Sequence, residues 1–275
     1  MRCAPAVRAA SSSTATVRWF KRMLGRFFRH KSPLNSEDEA WQIETWRWLL
    51  KHSGGIDDLK LSPLVTPTRT YFPPSETTGH TRAKYIFECV KHLARMTDWP
   101  SELIAQPERP EDRIGDFAIL KNDSNRMPLG TFRISGNTAE ITYDPKSVSE
   151  PAVLIATLAH ELAHYRLKSI GEETPGGAEM HEYATDIMTI YMGFGIFGAN
   201  LAFNFGQHQD FQSIGWRWSR QGYLREVDWA FGLGVFAYLR GQPFSIFKEL
   251  LKPGLYSDLA KTERYLGENP NLFRD

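Results

Sequence analysis

Two histidines and the glutamate between them have the clearest potential for chemistry in this chain. They lie in the sequence H-E-L-A-H at residues 160–164, which has the pattern H-E-x-x-H. Histidines four residues apart lie on one face of a helix, so His160 and His164 can reach one tetrahedral zinc ion at roughly 2.0–2.1 Å. Glu161 is the expected general base that takes a proton from a zinc-activated water. The spacing therefore predicts zinc-dependent hydrolytic chemistry.

The residues around this motif favour a helix. Ser149 is a candidate N-cap, Pro151 suits the first turn, and Gly171 follows the last helical position. Alanine and leucine, both strong helix formers, dominate the residues in between. The sequence thus predicts a mostly buried helix of about five to six turns. This context disfavours the alternative of two ordinary helical histidines beside a solvated glutamate.

A second helix is expected to supply the third metal ligand, because catalytic zinc sites usually have three protein ligands and one open position. Glu182 and Asp186 are four residues apart and share one helical face. Glu182 can bind the metal, and Asp186 can then accept the remaining N–H of a ligating imidazole. Glu179 shares that face and His181 points about a quarter turn away, so both compete for the ligand role. We favour Glu182, since only it has a carboxylate four residues later.

Together the two segments resemble the gluzincin clan of zinc metallopeptidases. The resemblance rests on H-E-x-x-H at 160–164 and E-x-x-x-D at 182–186, and it covers about residues 149–205. It implies a zincin-like domain that hydrolyses peptide bonds, with His160, His164 and Glu182 as zinc ligands. In that clan the aspartate supports a ligating histidine and the glutamate of the first motif is the general base. The expected partner is a peptide or protein substrate.

Other zincin patterns match less well. Leu167 and Ile170 occupy the positions at which metzincins have a glycine and a third histidine. The H-E-L-A-H sequence also resembles SprT-like proteins, but no paired-cysteine zinc ribbon follows it. The gluzincin resemblance further implies a tyrosine, histidine or arginine that stabilises the oxyanion from later in the chain. The candidates for that role are His208, Tyr223 and Arg225.

The α+β fold class, mainly helical, follows from the rest of the chain. Residues 130–134 and 139–143 flank S-G-N-T and predict a hairpin, so we expect a small antiparallel sheet beside the two metal helices. In gluzincin-like proteins an edge strand beside the metal binds an extended peptide, whereas the alternative is a sheet that only covers the core. In the N-terminal half, the sequence predicts a helix that begins with a capping box at 36–39, a second helix at 81–97, an irregular segment at 99–113 and a strand at 117–120. The C-terminal third is predicted to be helical, with helices that include 227–241 and 256–266.

An uncharged run that extends through residues 187–205 raises the possibility of a transmembrane span. We favour a continuous buried helix, because its N-terminal end carries the metal carboxylate, its glycines permit close packing, and Asn200 interrupts the apolar run. Two alternatives to a peptidase with a buried central helix stay open. One is a zinc-containing binding or regulatory protein without hydrolysis. The other is an integral-membrane metallopeptidase.

Composition excludes several other classes. The 275 residues are 41% hydrophobic and 24% charged, as in an ordinary globular protein, and the formal net charge of +1 gives no indication of nucleic acid as a partner. Cys3 and Cys89 lie far apart, which predicts neither a disulfide framework nor a cysteine zinc site. A reducing cytoplasm is therefore the expected compartment. No pattern indicates an oligomeric state.

The first 35 residues differ from the expected single domain at 36–275. They are basic, include a low-complexity S-S-S-T stretch, and contain no acidic residue. Three interpretations compete for this segment. It can be a disordered tail that precedes a true start at Met23, an organelle transit peptide, or a short membrane-surface helix at 19–28.

Overall fold

Helices account for most of the computed structural model, which describes residues 30–107, 129–206 and 224–273. The helices within these ranges are α1 (Ser36–His52), α2 (Gly55–Leu61), α3 (Gly79–Leu93), α4 (Pro151–Ile170), α5 (His181–Tyr191), α6 (Gly195–Gly206), α7 (Glu226–Arg240) and α8 (Pro253–Glu268). The strands are β1 (Ser101–Ala105), β2 (Gly130–Ser135) and β3 (Thr138–Tyr143). Short 3-10 turns lie at Pro145–Ser149, Gly177–Met180 and Phe244–Phe247. The mainly helical α+β class is confirmed.

The predicted hairpin is confirmed as β2 and β3, which pair antiparallel from Gly130 opposite Tyr143 to Ser135 opposite Thr138. The expectation of an antiparallel sheet is wrong, because β1 pairs parallel with β3 and the strand order is β1-β3-β2. The prolines in the segment around β1 had indicated irregular structure. Pro100 and Pro107 bracket the strand instead of interrupting it, and proline is tolerated at such boundaries.

Helix α4 is the predicted motif helix, and it packs against α3, α5, α6 and the strands β2 and β3. It begins with Pro151 and ends at Gly171, whose φ of 76° is left-handed as expected for a helix C-terminus. The prediction of Ser149 as N-cap is wrong. Ser149 is the last residue of the preceding 3-10 turn, where its hydroxyl donates to the carbonyl of Lys146 at 2.8 Å, and Glu150 takes the cap position.

The predicted continuous helix after the second motif is wrong, because the chain breaks between α5 and α6. Gly193 has a φ of 96°, and a Cβ atom there would lie 1.8 Å from the carbonyl oxygen of Pro63. The carbonyl of Gly193 in turn accepts the N–H of Val65 at 2.9 Å. Only glycine fits this left-handed and crowded position. Within the part of the chain that the structure describes, no helix combines the length and the apolarity needed to span a bilayer.

The N-terminal and C-terminal helices pack around α4 and α5. In α1, the prediction of a capping box that begins at Ser36 is wrong, since Asn35 is the N-cap and its side chain accepts the N–H groups of Glu37 and Asp38 at 3.0 and 2.9 Å. Trp46 of α1 is completely buried in the core. Helices α7 and α8 confirm the two predicted C-terminal helices and pack against each other. The predicted strand at 117–120 and residues 1–29 of the basic tail lie outside the described residues.

Candidate metal centre

The candidate site begins with three side chains on α4. His160 and His164 lie one turn apart, with ring centroids 4.8 Å apart and an interplanar angle of 86°. Each imidazole is 13% exposed, and Glu161 between them is buried. Both imidazoles make polar contacts with side chains of α5, which follows after the turn at residues 171–180.

Glu182, in the first turn of α5, brings a carboxylate to both imidazoles. Its Oε2 atom lies 3.2 Å from Nε2 of His160 and 3.4 Å from Nε2 of His164. The three ligand atoms lie within 4.8 Å of one another, and no other such group of three occurs among the described residues. Two imidazole nitrogens and one carboxylate oxygen are a donor set that suits a catalytic zinc ion with one position left open. The residues present therefore fit zinc.

Asp186 forms a hydrogen bond with the Nδ1 atom of His160, the contact that the spacing of the second motif predicted. Nδ1 of His160 lies 3.0 Å from Oδ1 of Asp186, whose other oxygen accepts the N–H of Leu224 at 3.0 Å. Burial lowers the pKa of His160, but the hydrogen bonds to Asp186 and Glu182 outweigh it and raise that pKa to about 10. A metal ion at Nε2 must therefore replace a well-held proton.

Glu161 is buried beside β2, the first strand of the hairpin. A Cβ atom at Gly130 would lie 2.9 Å from Oε1 of Glu161 and 2.6 Å from Cγ2 of Thr157, so the β2 backbone passes directly over this carboxylate. Burial is the main cause that raises the pKa of Glu161, and Glu182 adds repulsion, while His160 and His164 oppose the shift. A carboxylate with a raised pKa is better suited to general-base work near neutral pH.

The surroundings of His164 include three contacts that the sequence did not predict. Its Nδ1 atom lies 3.2 Å from Oγ1 of Thr185 and 3.3 Å from Nε2 of His181. The ring of Phe132 on β2 lies nearly parallel to the imidazole, with a centroid distance of 6.2 Å and an angle of 5°. A signal for Thr185 was available, since it follows Glu182 by three residues and so shares its helical face.

The structure separates the competing ligand candidates. Glu179 is exposed in the 3-10 turn before α5 and is not part of the ligand group. His181 contacts Nδ1 of His164, and burial followed by repulsion from His164 lowers the pKa of His181. Glu182 is the residue that meets the Nε2 atoms of both imidazoles, as the sequence-based choice expected.

The candidate oxyanion donors receive less structural support. His208 and Tyr223 lie outside the described residues. Arg225 precedes α7, where its guanidinium forms ion pairs with Asp228 and with Asp38. The hydrogen bond to Asp228 is the main cause that raises the pKa of Arg225. This guanidinium therefore joins α1 to the start of α7.

A cleft of about 560 Å³ opens beside Glu182 and His181. Its rim includes Lys168 from the end of α4 and two acidic residues of the following turn, Glu172 and Glu173. The Glu182 side chain is 44% exposed, so this cleft gives a route from solvent to the ligand group.

Comparisons of the chain with protein-family models, with curated proteins and with solved structures found no match. The residues and geometry of the site are therefore the basis on which a function can be inferred. Those features are two histidines and a glutamate that converge, a buried carboxylate beside them, and a strand that passes over it.

Proposed function

We propose that this chain is a gluzincin-like zinc metallopeptidase that hydrolyses peptide bonds. The observation that carries the proposal is the convergence of Nε2 of His160, Nε2 of His164 and Oε2 of Glu182. These atoms come from two motifs, the first of which ends at His164, 18 residues before Glu182. Their arrangement on two adjacent helices beside a small sheet supports a zincin-like fold. The identity of the metal follows from the donor set, since imidazole and carboxylate ligands in this number suit zinc.

The residues of the chain divide the proposed reaction between them. Zinc, when bound, lowers the pKa of a coordinated water to about 7 and polarises the substrate carbonyl. Glu161 takes the proton from the water and delivers it to the leaving amine. Its burial supports this role, because a desolvated carboxylate holds a proton more strongly than one in solvent. Asp186 orients His160 and keeps its Nδ1 atom engaged.

The strand β2 supports an extended peptide as the substrate. It lies at one end of the strand order, and Gly130 and Phe132 on it contact the residues around Glu161 and His164. An extended peptide that pairs with β2 by strand addition would run past the general base. The absence of a side chain at Gly130 lets the β2 backbone approach Glu161 and Thr157 closely. We therefore propose that β2 is the substrate-binding strand.

A glutamate-to-glutamine variant tests the proposed reaction. Glu161→Gln should keep about one zinc per chain and lose at least roughly 100-fold in turnover, since an amide cannot take the proton. Cleavage is measured with a quenched-fluorescence peptide library, and zinc is measured by atomic absorption on the same samples. Glu150→Gln is the matched control, because Glu150 is exposed at the start of the same helix and its side chain makes no cap hydrogen bond.

The outcomes separate the alternatives. Full activity in Glu161→Gln would disprove the general-base assignment. Zinc at about one per chain without cleavage of any library peptide by the unmodified chain would favour a binding or regulatory protein instead.

A further inference from the structure

A threonine of α5 has a position relative to His164 that matches the position of Asp186 relative to His160. Thr185 is completely buried, and its Oγ1 lies 3.2 Å from Nδ1 of His164. We propose that Thr185 is a positioning residue that fixes the tautomer and orientation of His164 for metal binding. This inference rests on the proposed zinc site.

The direction of the hydrogen bond follows from a count of protons. A threonine hydroxyl has one proton to donate and two lone pairs. Oγ1 of Thr185 lies 2.8 Å from the backbone carbonyl of His181, which can only accept, so the proton is used there. A bond to the carbonyl four residues earlier is common for threonine in helices. In the proposed arrangement, Nδ1 of His164 donates to a lone pair that remains on Oγ1.

The consequence for His164 is a single tautomer. With the proton on Nδ1, the Nε2 atom keeps its lone pair, and Nε2 is the atom that lies 3.4 Å from Oε2 of Glu182. Asp186 likewise accepts the Nδ1 proton of His160, since an ionised carboxylate only accepts, so that Nε2 is the atom from which a metal ion would displace a proton. Both imidazoles thus present Nε2 to the ligand group, and both are held through Nδ1 from α5.

Asp186 and Thr185, the residues that hold Nδ1 of His160 and of His164, differ in charge, and that difference has a physical reason. Asp186 is an anion, whereas Thr185 orients its histidine without a charge. A carboxylate at residue 185 would add a further buried anion beside His164, which Glu182 already faces, and burying a carboxylate is costly. A hydroxyl avoids that cost and still supplies the acceptor.

His181 is the other polar group at Nδ1 of His164, at 3.3 Å. Its ring lines the cleft, whereas the Thr185 hydroxyl is enclosed and fixed by the His181 carbonyl. A hydrogen bond in a dry and fixed geometry is the better means of orientation. The hydroxyl of Thr185 is therefore expected to contribute more than the His181 ring to the position of His164.

The test compares Thr185→Val, which has nearly the same shape but no hydroxyl, with Thr185→Ser, which restores the hydroxyl. Thr189→Val is the matched control, because Thr189 is also buried in α5 and donates to the carbonyl four residues earlier, at 2.9 Å. Zinc affinity is measured by competition with a chelator, and the thermal unfolding of each chelator-treated variant is measured beside it. The loss of an outer-shell partner should weaken zinc binding in Thr185→Val by roughly 10–100-fold.

The expected pattern is specific to a positioning role. Thr185→Ser should recover zinc affinity to within a few-fold, and Thr189→Val should bind zinc as the unmodified chain does, although both valine variants lose similar thermal stability. Equal zinc affinity in Thr185→Val and the unmodified chain would overturn the role of Thr185 and leave the metal site intact. An equal loss in both valine variants, or a larger loss in His181→Ala than in Thr185→Val, would also overturn it. An unmodified chain that binds no zinc would disprove the proposed function itself.

Discussion

The two carboxylates of α5 stand one helical turn apart and have opposite environments. The side chain of Glu182 is 44% exposed and borders the cleft, whereas that of Asp186 is 3% exposed and accepts hydrogen bonds from His160 and the Leu224 backbone. One carboxylate, that of Glu182, is therefore accessible to a metal ion from solvent, whereas the other, that of Asp186, is fixed by its buried hydrogen bonds. Burial and the number of fixed partners decide between these roles.

The largest effect is expected from Glu182→Gln. The substitution removes the anionic ligand and keeps the shape of the side chain, so zinc affinity should fall by at least roughly 100-fold. Isothermal titration with zinc measures the change. Near-normal affinity would mean that Glu182 is not a ligand and would remove the contrast with Asp186.

Asp186→Asn should have a smaller effect on the metal and an additional effect on the fold. An amide at this position keeps one acceptor for Nδ1 of His160 or for the N–H of Leu224, but it loses the charge that both contacts use. Zinc affinity should fall by roughly 10–100-fold, as for other outer-shell partners. Hydrogen exchange at Leu224 should become faster, because its amide loses a buried charged acceptor. An unchanged exchange rate at Leu224 would show that the Asp186 contact does not hold the start of α7.

The pH dependence of stability tests the same contrast through protonation. The folded-state pKa of His160 is about 10, above its ordinary value of 6.5, so its stabilising contribution is complete below about pH 6.5 and is lost as pH rises towards 10. Burial alone would raise the pKa of Glu182, but the hydrogen bonds to His160 and His164 hold it well below its ordinary value. The contribution of Glu182 to stability is therefore present above about pH 4.5 and is lost in acid. In chelator-treated protein, the combined contribution of His160 and Glu182 to stability should be largest between about pH 4.5 and 6.5. Urea unfolding from pH 4 to 10 measures this window, and His160→Gln should flatten its alkaline side.

The smallest effect is expected from Glu179→Gln. Glu179 was a candidate because it was expected to share a helical face with Glu182. It is exposed in the turn before α5 and does not belong to the ligand group. Zinc affinity and unfolding temperature should stay within error of the unmodified chain, as for most exposed substitutions. A loss of zinc comparable to that of Glu182→Gln would show that the third ligand comes from the turn.

The parts of the site that the sequence could predict are those that depend on local spacing. The faces shared by His160 and His164, and by Glu182 and Asp186, follow from helical periodicity alone. The contact between Thr185 and His164 joins two helices, so it depends on how α4 and α5 pack. The approach of Gly130 to Glu161 likewise depends on the position of the sheet.

The fold shows the same limit at longer range. The break at Gly193 follows from the carbonyl of Pro63, which is 130 positions earlier in the chain, and helix propensity contains no information about that contact. Strand β1 was missed because its partner β3 lies on the far side of residues 108–128, and its own prolines favoured irregular structure. Local pattern therefore predicted which side chains share a helical face, and tertiary packing decided where the helices and strands end.

The most direct test of the metal site is the zinc content of the full chain, purified without a metal-binding tag and measured beside His160→Ala. About one zinc per chain, and its loss in His160→Ala, is the predicted result. The absence of zinc in the unmodified chain, even after reconstitution with zinc, would contradict the account.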